Sequence, residues 1–152
     1  WRGPLGAAHD FQFAAMAVEV KSVGDDMVAE ISSAEQLDSS NEPLILSAVR
    51  LLGTMEETAD SFSVTGLVRS LRELFEPHGP AAATFDDRLS LVGYADAPAY
   101  EARRFVVKEM RHFDVDEGFP RLVPVVLAQG ITFVRYGVDL RRCNTFRRAA
   151  VF

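Results

Sequence analysis

Along the first third of the chain, apolar and polar residues alternate in short runs, which is the period of strands and not of helices. "FQF" at Phe11–Phe13 and "MAVEVKSV" at Met16–Val23 read as two strands joined by a tight turn near Ala14–Ala15. "GDD" at Gly24–Asp26 makes a further turn, and "MVAEIS" from Met27 a third strand. "SSAEQLD" predicts the start of a helix, because Ser32 with Glu35, or Ser33 with Gln36, has capping-box spacing. "PLILSAVRLL" is too uniformly apolar for a surface strand and reads as a buried one, with a polar loop after it at "GTMEETADS".

The period changes at Ser63. Leu67, Val68, Leu71, Leu74 and Phe75 recur at helical spacing behind a Ser63 cap, and "PHGP" stops that helix. "TFDDRLSLVGY" predicts a second, shorter helix. "RRFVVKEMRHFDV" then reads as a long strand and "ITFVRYGVDL" as the last. The opening "WRGPLGAAHD" is punctuated by Gly and Pro and reads as loop. Strands at both ends with helices between them indicate a mixed α/β or α+β class. No internal repeat and no low-complexity tract interrupts the pattern.

Composition narrows this only a little. The 152 residues suit one domain with a real core, and 48% hydrophobic with 25% charged residues argues against wholesale disorder. No apolar run approaches the roughly 20 residues that span a bilayer, so no membrane is expected among the partners. The one cysteine, Cys143, cannot form an internal disulfide, which suggests a reducing, cytoplasmic setting. Its neighbour Arg142 leaves a lowered thiol pKa open, but nothing nearby supports a nucleophile and an incidental thiol is the simpler reading. Gly-rich phosphate loops, GxSxG and the Rossmann fingerprint are all missing, which disfavours a nucleotide-hydrolysing motor. With one cysteine and no i, i+4 pair of histidines, a structural zinc is not expected.

Charge changes the picture more. The net charge is −6, and it is uneven: residues 1–60 hold 3 basic and 11 acidic groups, whereas residues 101–152 hold 10 basic and 6 acidic ones. An acidic half suits metal binding and a basic half suits phosphate contact, with plain solvated faces as the simpler reading.

The chemistry concentrates on the opening hairpin. Side chains alternate faces along a strand, so Glu19 and Lys21 share one face while Val18 and Val20 take the other, the expected core face. A hairpin can bring Asp10 beside Glu19. Two carboxylates and an amine would then converge, and Mg²⁺ commonly takes one or two protein carboxylates, leaving the rest of its shell to water and phosphate. A solvated strand face, with Asp10 serving the turn, is the competing reading. Asp25 and Asp26 suit a tight turn. Glu30 either faces the same site or lies in solvent. His9 is either a ligand or an exposed loop residue, His78 marks a helix stop, and His112 has no evident partner.

Asp10 followed on the next strand by "EVK", Glu19–Lys21, resembles the signature of the PD-(D/E)XK nuclease superfamily. "WRGPLGAAHDF", "VEVKS", "ISSAEQLD", "FPRL" and "ITFVRYGVDL" look like one bacterial family of PD-(D/E)XK motif proteins, over about Trp1 to Leu140. The resemblance implies an α/β, restriction-endonuclease-like mixed sheet flanked by helices, with its site on the N-terminal β-hairpin. Residues 1–140 would form the nuclease-like domain and 141–152 a basic C-terminal segment. It further implies Mg²⁺-dependent, or Mn²⁺-dependent, hydrolysis of DNA phosphodiesters in restriction or phage defence. Asp10 and Glu19 would be the metal-binding acids, Lys21 the catalytic lysine and Gln36 a polar support. The alternative is a catalytically inactive nuclease-like subunit that binds DNA or a protein partner. Besides DNA, the expected partners are defence-system proteins or a second copy of the chain, and no residue distinguishes DNA from RNA.

Two departures accompany the resemblance. His9 stands where the superfamily usually has Pro before the first Asp. The helix that usually opens these folds has no counterpart ahead of Trp1, so the sequence is expected to be a piece of a longer protein. Arg103, Arg104, Lys108 and Arg111 lie near or on one long strand, Arg121 sits in "FPRL", and Arg141, Arg142, Arg147 and Arg148 cluster near the C-terminus. DNA contact through counterion release and a charge-blunted edge strand with a charged tail stand as equal readings of these cations.

Overall fold

The structure, a computed structural model, describes residues 1–151. The chain forms two compact units, Trp1–Arg50 with Lys108–Phe152, and Leu51–Val107.

In the first unit, β1 (Phe11–Gln12) and β2 (Ala17–Val23) form the expected antiparallel hairpin, with Phe11 opposite Val18 and Gln12 opposite Ala17. Its turn is closed by the Phe13 N–H donating to the Met16 carbonyl at 2.9 Å. β2 pairs on its other side with β4 (Leu44–Thr54), in parallel, from Ala17 opposite Leu44 to Val23 opposite Arg50. Parallel partners need a crossover. The chain makes it through β3 (Val28–Ile31) and a single 3-10 turn at Glu35–Leu37. β3 does not join the main sheet. It pairs antiparallel with β7 (Tyr136–Asp139) to make a second, two-stranded sheet.

β4 lies between β2 and β6 (Arg104–Asp114), and Leu44–Ala48 are buried without a break, so both faces of this interior strand are covered, as its largely apolar run predicts. The short strand β8 (Arg147–Arg148) pairs with the end of β6. Leu44, Leu46 and Ala48 face a core that also takes Ala17 and Val23 from β2, Ala29 and Ile31 from β3, and Val138 and Leu140 from around β7. Met27, Leu37, Phe113, Val115, Phe119 and Cys143 complete it.

That core corrects the expected facing of β2. Glu19 is opposite Leu46 and Lys21 opposite Ala48, so the two charges lie on the side of the main core. Val18 and Val20 take the opposite face, where they line a shallow groove of about 260 Å³ with Phe11, Phe13, Met110 and His112. Period-2 alternation separates two faces but does not say which one the rest of the chain will cover.

The "SSAEQLD" helix shrinks to the Glu35–Leu37 turn, which has no side-chain N-cap bond and gives way to extended backbone at Asp38. The last strand is also shorter than "ITFVRYGVDL" suggests: regular pairing covers only Tyr136–Asp139. Phe133 is exposed, and Ile131 is half-exposed.

The second unit holds β5 (Ser61–Ser63) and three helices, α1 (Val64–Phe75), α2 (Gly79–Leu91) and α3 (Pro98–Ala102). Ser63 caps α1 as expected, its hydroxyl accepting the Gly66 N–H at 3.0 Å. α2 starts earlier than "TFDDRLSLVGY" predicts and is the longer of the two helices, because Pro80 sits in its first turn, where its missing N–H costs no helical bond. Phe75 meets Phe85 between α1 and α2 at 5.3 Å, and Tyr94 stacks on Tyr100 at 5.6 Å. β5 pairs antiparallel with the first residues of β6. Among the described residues no helix is long and apolar enough to cross a membrane.

Candidate active site

Asp10 is held by backbone on both sides. Its carboxylate Oδ2 accepts the Val20 N–H at 2.9 Å, across the hairpin. Its carbonyl accepts the N–H groups of Arg2 and Gly3 at 2.6 and 3.2 Å, so the short turn Gly3–Leu5 folds against it. Gly3 lies so close that a Cβ there would stand 2.7 Å from Asp10 Oδ1.

Glu19 is 2% exposed. Its Oε1 lies 2.8 Å from Lys21 Nζ, an ion pair along one face of β2. Burial raises the Glu19 carboxyl to about 7, against the Lys21 hydrogen bond and charge, which pull it down; the nearby Asp10 charge raises it further and the Asp10 N–H lowers it. Lys21 Nζ also donates to Gln36 Oε1 at 3.0 Å. That amide oxygen accepts the Ser32 N–H at 2.9 Å and the Ser32 hydroxyl at 3.2 Å as well. The crossover from β2 to β4 therefore returns Gln36 to the strand it left.

The structure thus brings Asp10, Glu19, Lys21 and Gln36 together. Asp10 and Glu19 supply hard oxygen donors in the number that Mg²⁺ commonly takes from a protein, and an acid raised to about 7 by burial is one that a dication would hold ionised. Among the described residues no group of three or more His, Cys, Asp and Glu gathers as a metal site.

The proposed DNA-contacting cations are placed separately. In the second unit, Arg103 lies over the Phe105 ring at 5.3 Å, and Arg104 binds Ser61 and the Glu57 carboxylate at 3.1 Å. In the first, Lys108 is exposed, and Arg111 makes a two-pronged pair with Glu109 at 2.6 and 2.9 Å. Arg121 is turned inward: its Nη1 donates to the Leu37 carbonyl at 2.9 Å and to Ser39 Oγ at 2.5 Å. Arg141 and Arg142 share the Asp139 carboxylate, and Arg148 pairs with Asp114. Glu30 pairs with Arg135 on the surface and not with the hairpin. Cys143 is fully buried, and burial pushes its thiol up, opposite to activation.

Sequence reasoning missed several neighbours. Ser32 appears in it only as a capping candidate, whereas its N–H and hydroxyl orient Gln36. Gly3 carries no chemical group and gives no signal. His112 does have a partner: its Nδ1 lies 2.9 Å from Ser47 Oγ, across strands 65 positions apart. Among the described residues, the Nε2 of His9 is buried and has no hydrogen-bond partner.

No curated protein and no solved structure matches the chain. A family model does match, over residues 1–141, which includes the hairpin, the crossover and both strands of the second sheet. The chain belongs to the family that this model describes as "Putative PD-(D/E)XK family member, (DUF4420)".

Proposed function

We propose that this protein is a Mg²⁺-dependent endonuclease, with Mn²⁺ as a substitute, that hydrolyses DNA phosphodiester bonds in restriction or phage defence. One observation carries the reading: Glu19 is buried on the core side of β2, with its carboxyl raised to about 7, beside Asp10 and Lys21. A buried acid that resists ionisation destabilises the fold, and such groups concentrate at functional sites. Family membership supports the nuclease class.

Asp10 and Glu19 would hold the metal, which when bound would supply Lewis-acid chemistry to the scissile phosphoryl group and to a water. Lys21 orients the attacking water and stabilises charge developing on the phosphate. Gln36 fixes the Lys21 ammonium through its amide oxygen, at 3.0 Å. Arg103, Arg104, Lys108 and Arg111 are proposed contacts to the DNA backbone, and a second copy or a defence-system protein is the proposed partner.

A second reading has one observation in its favour. The Lys21 ammonium already neutralises Glu19 at 2.8 Å, as it would in an inactive nuclease-like subunit that only binds DNA or a partner. Plasmid cleavage with Mg²⁺ or Mn²⁺ separates the two, run beside Lys21→Ala, an EDTA control and an RNA substrate. Cleavage lost on both chelation and substitution supports the endonuclease. Cleavage that survives Lys21→Ala removes this site, and folded protein that cuts nothing in either metal favours the binding subunit.

A further inference from the structure

Arg121 lies in the first unit with its guanidinium directed at backbone. Nη1 donates to the Leu37 carbonyl at 2.9 Å and to Ser39 Oγ at 2.5 Å, with the Val115 carbonyl at 3.5 Å. Among the described residues it forms no ion pair. Half-buried arginines usually find a carboxylate, and this one instead spends its charge on neutral oxygens.

The position of those oxygens gives the arrangement meaning. Leu37 is the last residue of the Glu35–Leu37 turn and is fully buried. The turn is only three residues long and has no side-chain N-cap bond. A turn that short does not hold itself. It is pinned by the Leu37 side chain in the core and by Arg121 on the Leu37 carbonyl. Gln36, the middle residue, is the one whose amide oxygen meets Lys21 Nζ.

We propose that Arg121 is a positioning residue for the Lys21–Gln36 pair. It clamps the end of the turn, so that Gln36 Oε1 stays where Lys21 and Ser32 both reach it. This inference rests on the reading of Lys21 and Gln36 as site residues. Arg121 accordingly acts from inside the fold and not as a contact to nucleic acid.

The backbone amide of Ser32 reports the geometry directly, because its acceptor is Gln36 Oε1. Amide hydrogen exchange would be compared in the wild type, Arg121→Met, Arg121→Lys and Gln36→Ala. Losing one hydrogen bond of ordinary net strength speeds exchange of the Ser32 amide by about five- to tenfold. The expected result is that Arg121→Met and Gln36→Ala speed it equally, that the double variant adds nothing, and that Arg121→Lys falls between. Core amides on β2 and β4 keep their protection, which separates this from general destabilisation. Unchanged Ser32 exchange in folded Arg121→Met, or in Arg121→Lys should the first variant not fold, overturns the proposal. DNA cleavage is measured on the same proteins. A wild type that cuts nothing counts against the endonuclease, while the Ser32 exchange still decides the role of Arg121.

Discussion

The two units of the chain treat charge and burial in opposite ways. In the first, a continuous core runs from Ala17 to Cys143 and closes over an ion pair, leaving Glu19 almost without solvent. In the second, Val68 and Leu89 are the buried apolar residues among those described, and Leu67, Leu74 and Leu91 remain largely exposed. Its charges pair on the surface, as Arg72 does with Asp86 at 2.9 Å. The same pairing chemistry therefore carries different weight. A surface pair is screened and optional, whereas a buried acid must be neutralised by protonation, by an ammonium or by a metal.

The largest expected effect breaks the first core itself. Phe113 is fully buried in it, and Phe113→Ala should cost about 3–5 kcal/mol in urea unfolding. Val68→Ala, the corresponding truncation in the second unit, removes fewer atoms from a thinner core and should cost about 1–2 kcal/mol. Equal losses would mean that the second unit is packed as tightly as the first.

Next comes the pH dependence of the buried acid. The folded Glu19 carboxyl titrates at about 7 and the unfolded one near 4.5. Between those values the folded state keeps a proton that the unfolded state has lost. Stability from this group therefore falls as pH rises from about 4.5 to about 7, and stays low above that. The whole change amounts to about 3 kcal/mol. Glu19→Gln should flatten that slope and be the more stable protein at pH 8, measured by urea midpoints across the range. Added Mg²⁺ should restore stability at pH 8 in the wild type and leave Glu19→Gln unmoved. A wild-type midpoint that stays level from pH 5 to 8 would show that Lys21 holds the acid ionised throughout.

The smallest effect on stability comes from the surface pair of the second unit. Arg72 and Asp86 side chains are 43% and 52% exposed, and Arg72→Ala should change stability by less than about 1 kcal/mol, less still at high salt. Arg72 also reaches Asp96 at 3.8 Å, so a larger loss would mean that this wider surface network, and not the Asp86 pair alone, carries stability.

What could be read in the sequence divides along similar lines. The hairpin, the Ser63 cap and the apolar run of β4 follow from neighbours close in the chain, so periodicity and capping spacing found them. The grouping of Asp10, Glu19 and Lys21 was legible because a hairpin is local. The pairing of β3 with β7 joins segments about a hundred residues apart, and no local pattern encodes it. That second sheet decides which face of β2 becomes the core, and so strand alternation alone does not give the facing of Val18 and Val20. Gln36 was visible as a residue but its helix was not formed, because its side chain is committed to Lys21 and Ser32 and its neighbour Leu37 to the core. Pro80 stood in a helix stop and also opened the next helix, which the stop signal alone conceals.

Gly3 sharpens the comparison from the other side, since it joins a negligible expected effect on stability to a direct effect on the site. Its φ is not in the left-handed region, so an alanine meets no backbone strain there. The added Cβ would stand 2.7 Å from Asp10 Oδ1, and the carboxylate, being the flexible partner, must swing away. Its bond to the Val20 N–H at 2.9 Å would loosen with it. Gly3→Ala should therefore change the urea midpoint by under about 1 kcal/mol, a surface-sized effect. Mg²⁺ affinity, measured by calorimetry, should nevertheless fall by about tenfold, the loss expected when a ligand's support is disturbed. Unchanged affinity would mean that Asp10 does not hold the metal in its present rotamer, whereas a large loss of stability would mean that the Gly3–Leu5 turn anchors the hairpin and does more than shape its carboxylate.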